Sequence, residues 1–220
     1  MSGRFVVFEG GDGVGKSHQA AWLAEWLTDR GVDVVRTFEP GDSPAGQLIR
    51  QIVLSPSTGD LSPRAEALLY AADKAHHVYA VVKPALERGA VVICDRYVDS
   101  TLAYQGAGRV LDLSEVESIN RWATEHLLPD LTVLMDLAPE HGVGTMTERD
   151  RIEAEGDDFH ERVREGFLAL AARDPERYLV IQARDSKDAN RAAIAARVGA
   201  LLGLPGDHQK LSDAPGTMQS

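Results

Sequence analysis

The chain has 220 residues, with 23 Lys and Arg against 34 Asp and Glu and a formal net charge of −11. That balance excludes bulk attraction to nucleic acid, so a phosphate ligand must be held by local positive groups. The single cysteine, Cys94, excludes a disulfide framework and a cysteine-built metal site, and no apolar run approaches membrane-spanning length.

The length suits one domain, residues 1–202, around one sizeable core. Met1-Ser2-Gly3-Arg4 leads straight into an apolar run with no secretory pattern, so the expectation is a cytoplasmic protein. Arg4–Phe8 predicts a buried strand. It feeds Gly10-Gly11-Asp12-Gly13-Val14-Gly15-Lys16-Ser17, which fits G-x-x-x-x-G-K-[ST]. In that arrangement backbone N–H groups of a glycine-rich turn wrap phosphate oxygens, and the following helix adds its positive end. Lys16 reaches the outer phosphates and the Ser17 hydroxyl is placed for Mg²⁺. The loop therefore implies a nucleoside triphosphate, and its glycines do not fit the dinucleotide pattern G-x-G-x-x-G. Asp12 is the odd member. A carboxylate beside an anion cradle implies a metal or the acceptor side of a reaction.

Further along, Ala20, Leu23, Trp26 and Leu27 make a helical stripe, and Asp33–Phe38 predicts a second strand that ends in Phe38-Glu39-Pro40-Gly41. Ala65–Glu87 predicts a long helix, with Pro84 marking a kink or a new start. Tyr70 and Lys74 share one face of it and can stack on a base and bond its carbonyl, although a core ring beside a solvated Lys has the same spacing. His76 and His77 are adjacent, cannot share a face, and are expected to be structural or solvated. Ala90–Cys94 predicts a third strand that buries Cys94 and delivers Asp95-Arg96-Tyr97. Asp95 can hold Mg²⁺ through water, and the Arg96 fork suits a phosphate. Ser100–Gly106 supplies hydroxyls, a phenol and an amide suited to a base or a sugar.

Ser114 and Glu117 read as a capping box opening a Ser114–Leu127 helix. Leu131–Asp136 and Tyr178–Gln182 predict the last two strands, and Phe159–Ala172 and Ala189–Leu202 the last helices. A charge-dense stretch, Glu148–Glu153, follows His141–Thr147, and together they suggest a lid over about 141–153 that folds over a phosphate donor. Gly203–Ser220 lacks periodicity and is expected to be disordered. Alternating strands and helices imply an α/β doubly wound fold with a five-stranded parallel sheet flanked by helices. Ligands then sit at the carboxyl ends of the strands, where Glu9, Glu39, Asp95-Arg96 and Asp136 arrive.

These landmarks together resemble the thymidylate kinases, P-loop nucleoside monophosphate kinases. The matching runs are Phe8–Ser17, Phe38–Gly41, Glu66–Val78, Ile93–Gly106, Pro129–Glu140 and Asp150–Phe167, six in order over nearly the whole chain. The resemblance implies transfer of the γ-phosphoryl group of ATP to dTMP, with Mg²⁺, by a homodimer. It implies that the loop from Gly10 to Ser17 holds ATP, that Asp12 lies between loop and acceptor, and that Arg96 grips the dTMP phosphate. Tyr70 stands where the family stacks a Phe on thymine, and Tyr104 where an aromatic disfavours ribonucleotides. Thr101 and Gln105 match positions near the base, and Phe38, Glu39 and Arg50 match positions of the acceptor pocket. Val14 replaces the loop arginine of one subgroup, so the chain is similar to the bacterial-type subgroup, whose catalytic arginine lies in the lid. Two departures stand out. Lys74 occupies the place of an Arg that bonds a thymine carbonyl, and His141–Thr147 lacks the usual arginines, leaving Arg149 and Arg151, of which Arg151, within the matching Asp150–Phe167 run, is favoured.

Overall fold

Phe5, Val6, Val7 and Phe8 are each at most 1% exposed because β1 (Arg4–Glu9) runs through the centre of the sheet. The computed structural model describes residues 3–137 and 150–204. Its five strands lie in the order β2 (Val34–Phe38), β3 (Val91–Asp95), β1, β4 (Leu131–Asp136) and β5 (Tyr178–Gln182), with every pairing parallel. Continuous apolar strands suit this position, since both faces are covered. Val6 and Phe8 pack with Leu23 and Leu27 of α1 (Lys16–Thr28) and Ile194 and Val198 of α8 (Lys187–Leu202). Phe5 and Val7 face the other way, towards Val78, Val82, Tyr97 and Leu102.

The five predicted strands agree with the observed ones to within a residue at each end. Several features of the helices differ from expectation. A helix missing from the sequence reading, α2 (Pro44–Leu54), follows β2; Ser43 caps it by accepting from Gly46 N–H, and Pro44 occupies its first turn. The long helix is α3 (Pro63–His77), and it does not break before Pro84. Instead the backbone widens into a π turn over Val78–Val82 and continues as α4 (Lys83–Glu87). The wider turn accommodates a proline that has no N–H and presses on the preceding turn.

After β3, α5 (Val98–Thr101) passes into a second π segment, Leu102–Gly108. The next helix, α6 (Leu113–Ala123), is capped by Asp112 rather than Ser114. The Asp112 carboxylate accepts from the N–H groups of Ser114 and Glu115, so Ser114 lies inside the first turn. Finally α7 (Asp157–Arg173) packs Phe159, Val163 and Phe167 around Tyr104. The greater part of the expected lid, including His141–Thr147 and Arg149, and the expected tail beyond Leu204 lie outside the described residues.

Candidate active site

The phosphate loop joins β1 to α1, and its glycines are dictated by geometry. Gly10 has φ 132°, and a Cβ there would lie 2.4 Å from the Met135 carbonyl oxygen. Gly15, with φ 92°, precedes α1, whose first turn has no side-chain cap, so its N–H groups are left for an anion. Gly13, Gly15, Lys16 and Ser17 line a cavity of about 910 Å³ that is open to solvent. Val14 turns its side chain into the core and offers the loop only its backbone. Lys16 folds back over the loop, donating to the carbonyls of Gly11 at 2.5 Å and Gly10 at 3.1 Å. Burial and the neighbouring Arg96 lower its ammonium to about 8, against the pull of Asp12, Asp95 and Glu9. Ser17 Oγ donates to Asp95 Oδ2 at 2.5 Å, bringing together two hard oxygen ligands of the kind Mg²⁺ selects.

Arg96 crosses from the end of β3 to the loop. Its backbone has φ 70°, and its guanidinium donates to the Gly10 carbonyl and Ser100 Oγ, each at 3.1 Å, and to Asp12. Burial alone would raise the Asp12 carboxyl, but Arg96 and Lys16 hold it at about 2. Behind Arg96, the buried Glu9 carboxylate accepts from the N–H groups of Tyr97 and Ser100 and from Ser100 Oγ. Desolvation, then the nearby Asp99, lift Glu9 to about 7.

A second cavity of about 640 Å³ opens on the other side of Asp12 and Arg96. It is lined by Tyr70, Lys74, Thr101, Tyr104 and Gln105, which come from α3 and the segment after β3. Lys74 Nζ donates to Thr101 Oγ1 at 2.8 Å, lies 3.5 Å from Glu39 Oε2, and sits 5.6 Å from the Tyr70 ring centroid. Here Lys74 is 2% exposed, so it is no solvated lysine. Glu39 is gripped from behind by His77 Nδ1 at 2.7 Å, and His77 Nε2 is 2.6 Å from Thr37 Oγ1. That settles His77 as structural. Although Glu39, His77 and Cys94 lie close together, both imidazole nitrogens are occupied and Cys94 Sγ donates to the Arg96 carbonyl, so they face partners rather than an ion. Arg50 donates to the Pro40 carbonyl at 2.8 Å and lies over Phe38, which lines the loop cavity and not the second one.

At the stem of the expected lid, Asp150, Ile152 and Glu153 line the second cavity. Arg151 is turned elsewhere: it donates to Glu66 and, through Nε, to the Val53 carbonyl at 3.0 Å. Asp136, the fourth charged strand end, is held by a fork from Arg164 at 2.6 and 2.8 Å and serves the scaffold. Sequence reasoning missed Glu66 and Glu153, gave Ser100 to a base or sugar rather than to Glu9 and Arg96, and left Glu9 without a task. The partners of Glu66 and Glu9 are distant in the chain, and of these two only Glu9 carried a signal, a carboxylate ending an apolar strand.

The parallel sheet, the phosphate loop at the end of its central strand and a second cavity across Asp12 and Arg96 define a P-loop phosphotransferase of the nucleoside monophosphate kinase class. A sequence model of the family described as thymidylate kinase matches residues 8–194. The thymidylate kinase of Cutibacterium acnes is 59% identical over 202 residues, spanning 92% of this chain and 99% of that protein. The thymidylate kinase of Clavibacter sepedonicus is 57% identical over 206 residues, spanning 92% and 97%. The crystal structure of thymidylate kinase from Ehrlichia chaffeensis matches with a TM-score of 0.70 at 33% identity, covering 82% of this chain and 93% of that one. This chain belongs to the thymidylate kinase family. It is a transferase whose function is the phosphorylation of dTMP.

Proposed function

We propose that the loop cavity takes ATP, the second cavity takes dTMP, and the phosphoryl group passes between them at Asp12 and Arg96. The observation that carries this reading is the shared wall: Asp12, Glu39, Arg50, Arg96 and Glu153 line both cavities. A dTMP phosphate oxygen, already anionic, attacks the γ-phosphorus in line, and the bond to the ADP oxygen breaks; no strong general base is required. Lys16 and the first-turn N–H groups of α1 stabilise charge on the donor phosphates, and Arg96 holds the acceptor phosphate by exchanging Asp12 for it. Ser17 and Asp95 would hold Mg²⁺, which supplies charge neutralisation on the donor phosphates. Asp12 would orient the acceptor.

On the acceptor side, Tyr70 stacks on thymine, Lys74 and Thr101 bond its edge, Gln105 reads it, and Tyr104 fills the space a 2′-hydroxyl would need. Glu39 and Arg50 shape the mouth, whereas Phe38 belongs to the loop cavity. Arg149 and Arg151 are the proposed lid cations, and Arg151 reaches the transferred group only by giving up Glu66. We also infer a cytoplasmic homodimer. Among the described residues no helix is long and apolar enough to cross a membrane. Leu68 and Tyr79, three turns apart along α3 and its π extension, are exposed, as is Trp122 on the neighbouring α6.

An ADP-release assay with ATP and Mg²⁺, comparing dTMP, dUMP, dCMP, dGMP and thymidine, tests the reading. Preferred turnover of dTMP is expected, and turnover independent of the acceptor would overturn it.

A further inference from the structure

Gln105 lines the acceptor cavity, yet its amide is not free to turn. It is 2% exposed, and its Nε2 donates to Glu66 Oε1 at 2.9 Å. Glu66 is completely buried and also receives Arg109, at 3.1 Å from Nε and 3.3 Å from Nη2, and Arg151. Burial would push this carboxyl up, but the hydrogen bonds from Arg109, Gln105 and Arg151 hold it below its ordinary value. An ionised carboxylate can only accept. Gln105 must therefore present its NH₂ group to Glu66, which leaves its Oε1 as the atom for the cavity. Lys74, across the same cavity, has only donors to offer, one of which is taken by Thr101.

We propose that Glu66 is a positioning residue for base discrimination: by fixing the Gln105 amide, it gives the cavity an acceptor from Gln105 and a donor from Lys74. That polarity matches a base edge with a carbonyl beside a ring N–H, as in thymine or uracil. It opposes cytosine, whose amino group would meet the Lys74 ammonium and whose bare ring nitrogen would meet the Gln105 oxygen. A buried polar edge of fixed polarity rejects the inverse pattern because both groups would be left unpaired. The inference rests on the proposed reading of this cavity as the dTMP site. Glu66 itself need not touch the base.

The experiment compares kcat/KM for dTMP and dCMP in the wild type, Glu66→Gln, Gln105→Leu and Arg109→Met. In Glu66→Gln the new carboxamide both donates and accepts, so the Gln105 amide turns either way. The dTMP-to-dCMP ratio is expected to fall about tenfold, the worth of one hydrogen bond. Arg109→Met removes an ion pair but leaves the anchor, so it lowers Tm while the ratio holds. A Glu66→Gln enzyme that loses activity equally on both nucleotides, with Gln105→Leu lowering the ratio, overturns the positioning role alone. An unchanged ratio in Gln105→Leu overturns the inference by removing its reader. A wild type without dTMP-dependent turnover removes the underlying reading. If Glu66→Gln does not fold, Glu66→Asp keeps the charge for both arginines but withdraws the oxygen by one methylene; a reduced ratio supports the role and an unchanged one overturns it.

Discussion

The Tyr104 hydroxyl donates to Asp12 Oδ2 at 2.8 Å, so the acceptor cavity and the phosphate loop are joined by one hydrogen bond. The same ring lies 5.2 Å from the Arg96 guanidinium carbon, which lets one side chain brace both groups at the shared wall. Tyr104→Phe keeps the ring and loses the tie. We expect kcat to fall about tenfold with the KM for dTMP within about twofold, in line with one lost hydrogen bond to a charged group. Tyr104→Ala should in addition narrow the preference for dTMP over its ribonucleotide counterpart. Steady-state kinetics with both nucleotides measures each effect.

Lys16 holds the loop and, in the proposed reading, faces the donor phosphates, so its loss should be severe. Lys16→Ala is expected to lower kcat by about 10³-fold or more, the range found for a cation on a transferred phosphoryl group. Its ATP affinity should weaken too, because the Gly10 and Gly11 carbonyls lose their common partner. A rate assay paired with calorimetric ATP binding checks both.

The proposed lid role of Arg151 can be separated from its anchoring role by measuring stability alongside rate. Arg151→Ala should lower kcat more than it raises KM, and should also lower Tm by removing the partner of Glu66 and the Val53 carbonyl. Arg149→Ala should lower kcat. If Arg151→Ala retains full kcat while Tm drops, Arg151 is an anchor only.

Glu9 imposes a pH dependence on folding. Its carboxyl moves from an ordinary 4.5 to about 7 on burial, so the folded chain holds a proton that the unfolded chain releases. The contribution is fully present below pH 4.5 and is lost as pH rises through about 7, in total on the order of 3 kcal/mol. Glu9→Gln removes the titration while its carbonyl still accepts from Tyr97 and Ser100. Its Tm relative to wild type should therefore climb between pH 5 and 7.5 and then level off, as followed by circular dichroism. A constant difference would refute the assignment.

The proposed dimer face is equally open to test. Trp122 and Tyr79 are 80% and 73% exposed, unusual values for such large rings on a lone surface. Trp122→Glu and Tyr79→Glu together should halve the mass seen by light scattering after gel filtration. A wild type that already runs as a monomer would refute it.

Much of the fold was legible because its signals are local. Continuous runs such as Phe5–Phe8 and Val91–Cys94 can be satisfied only between two covered faces. The glycine pattern of the loop reports backbone geometry directly, as Gly10 against Met135 illustrates. The helix α2 announced itself through Ser43 and Pro44, but its turn-like beginning after Phe38–Gly41 masked the Leu48, Ile49, Ile52 and Val53 stripe. Asp112 and Ser114 are both competent caps, and only the backbone at Asp112 decides between them. The site was legible where a motif fixed it, at Lys16, Ser17 and Arg96. Glu66 and His77 were not, because their task is set by Gln105, Arg109, Arg151 and Glu39, none of which is a neighbour in sequence.

At position 96 the backbone and the side chain make opposite demands. The left-handed conformation at φ 70° favours glycine, and holding a larger residue there costs on the order of 1 kcal/mol. The guanidinium, in turn, bonds the Gly10 carbonyl, Ser100 and Asp12, and in the proposed reading it grips the acceptor phosphate. Arg96→Gly would relax the β3 terminus but strand the Asp12 carboxylate and the Gly10 carbonyl without their partner, a larger loss than the strain it relieves. The strained backbone at position 96 is thus kept in place by the same guanidinium bonds that an incoming anion would have to take over, so the resting chain stores its own placeholder for the ligand.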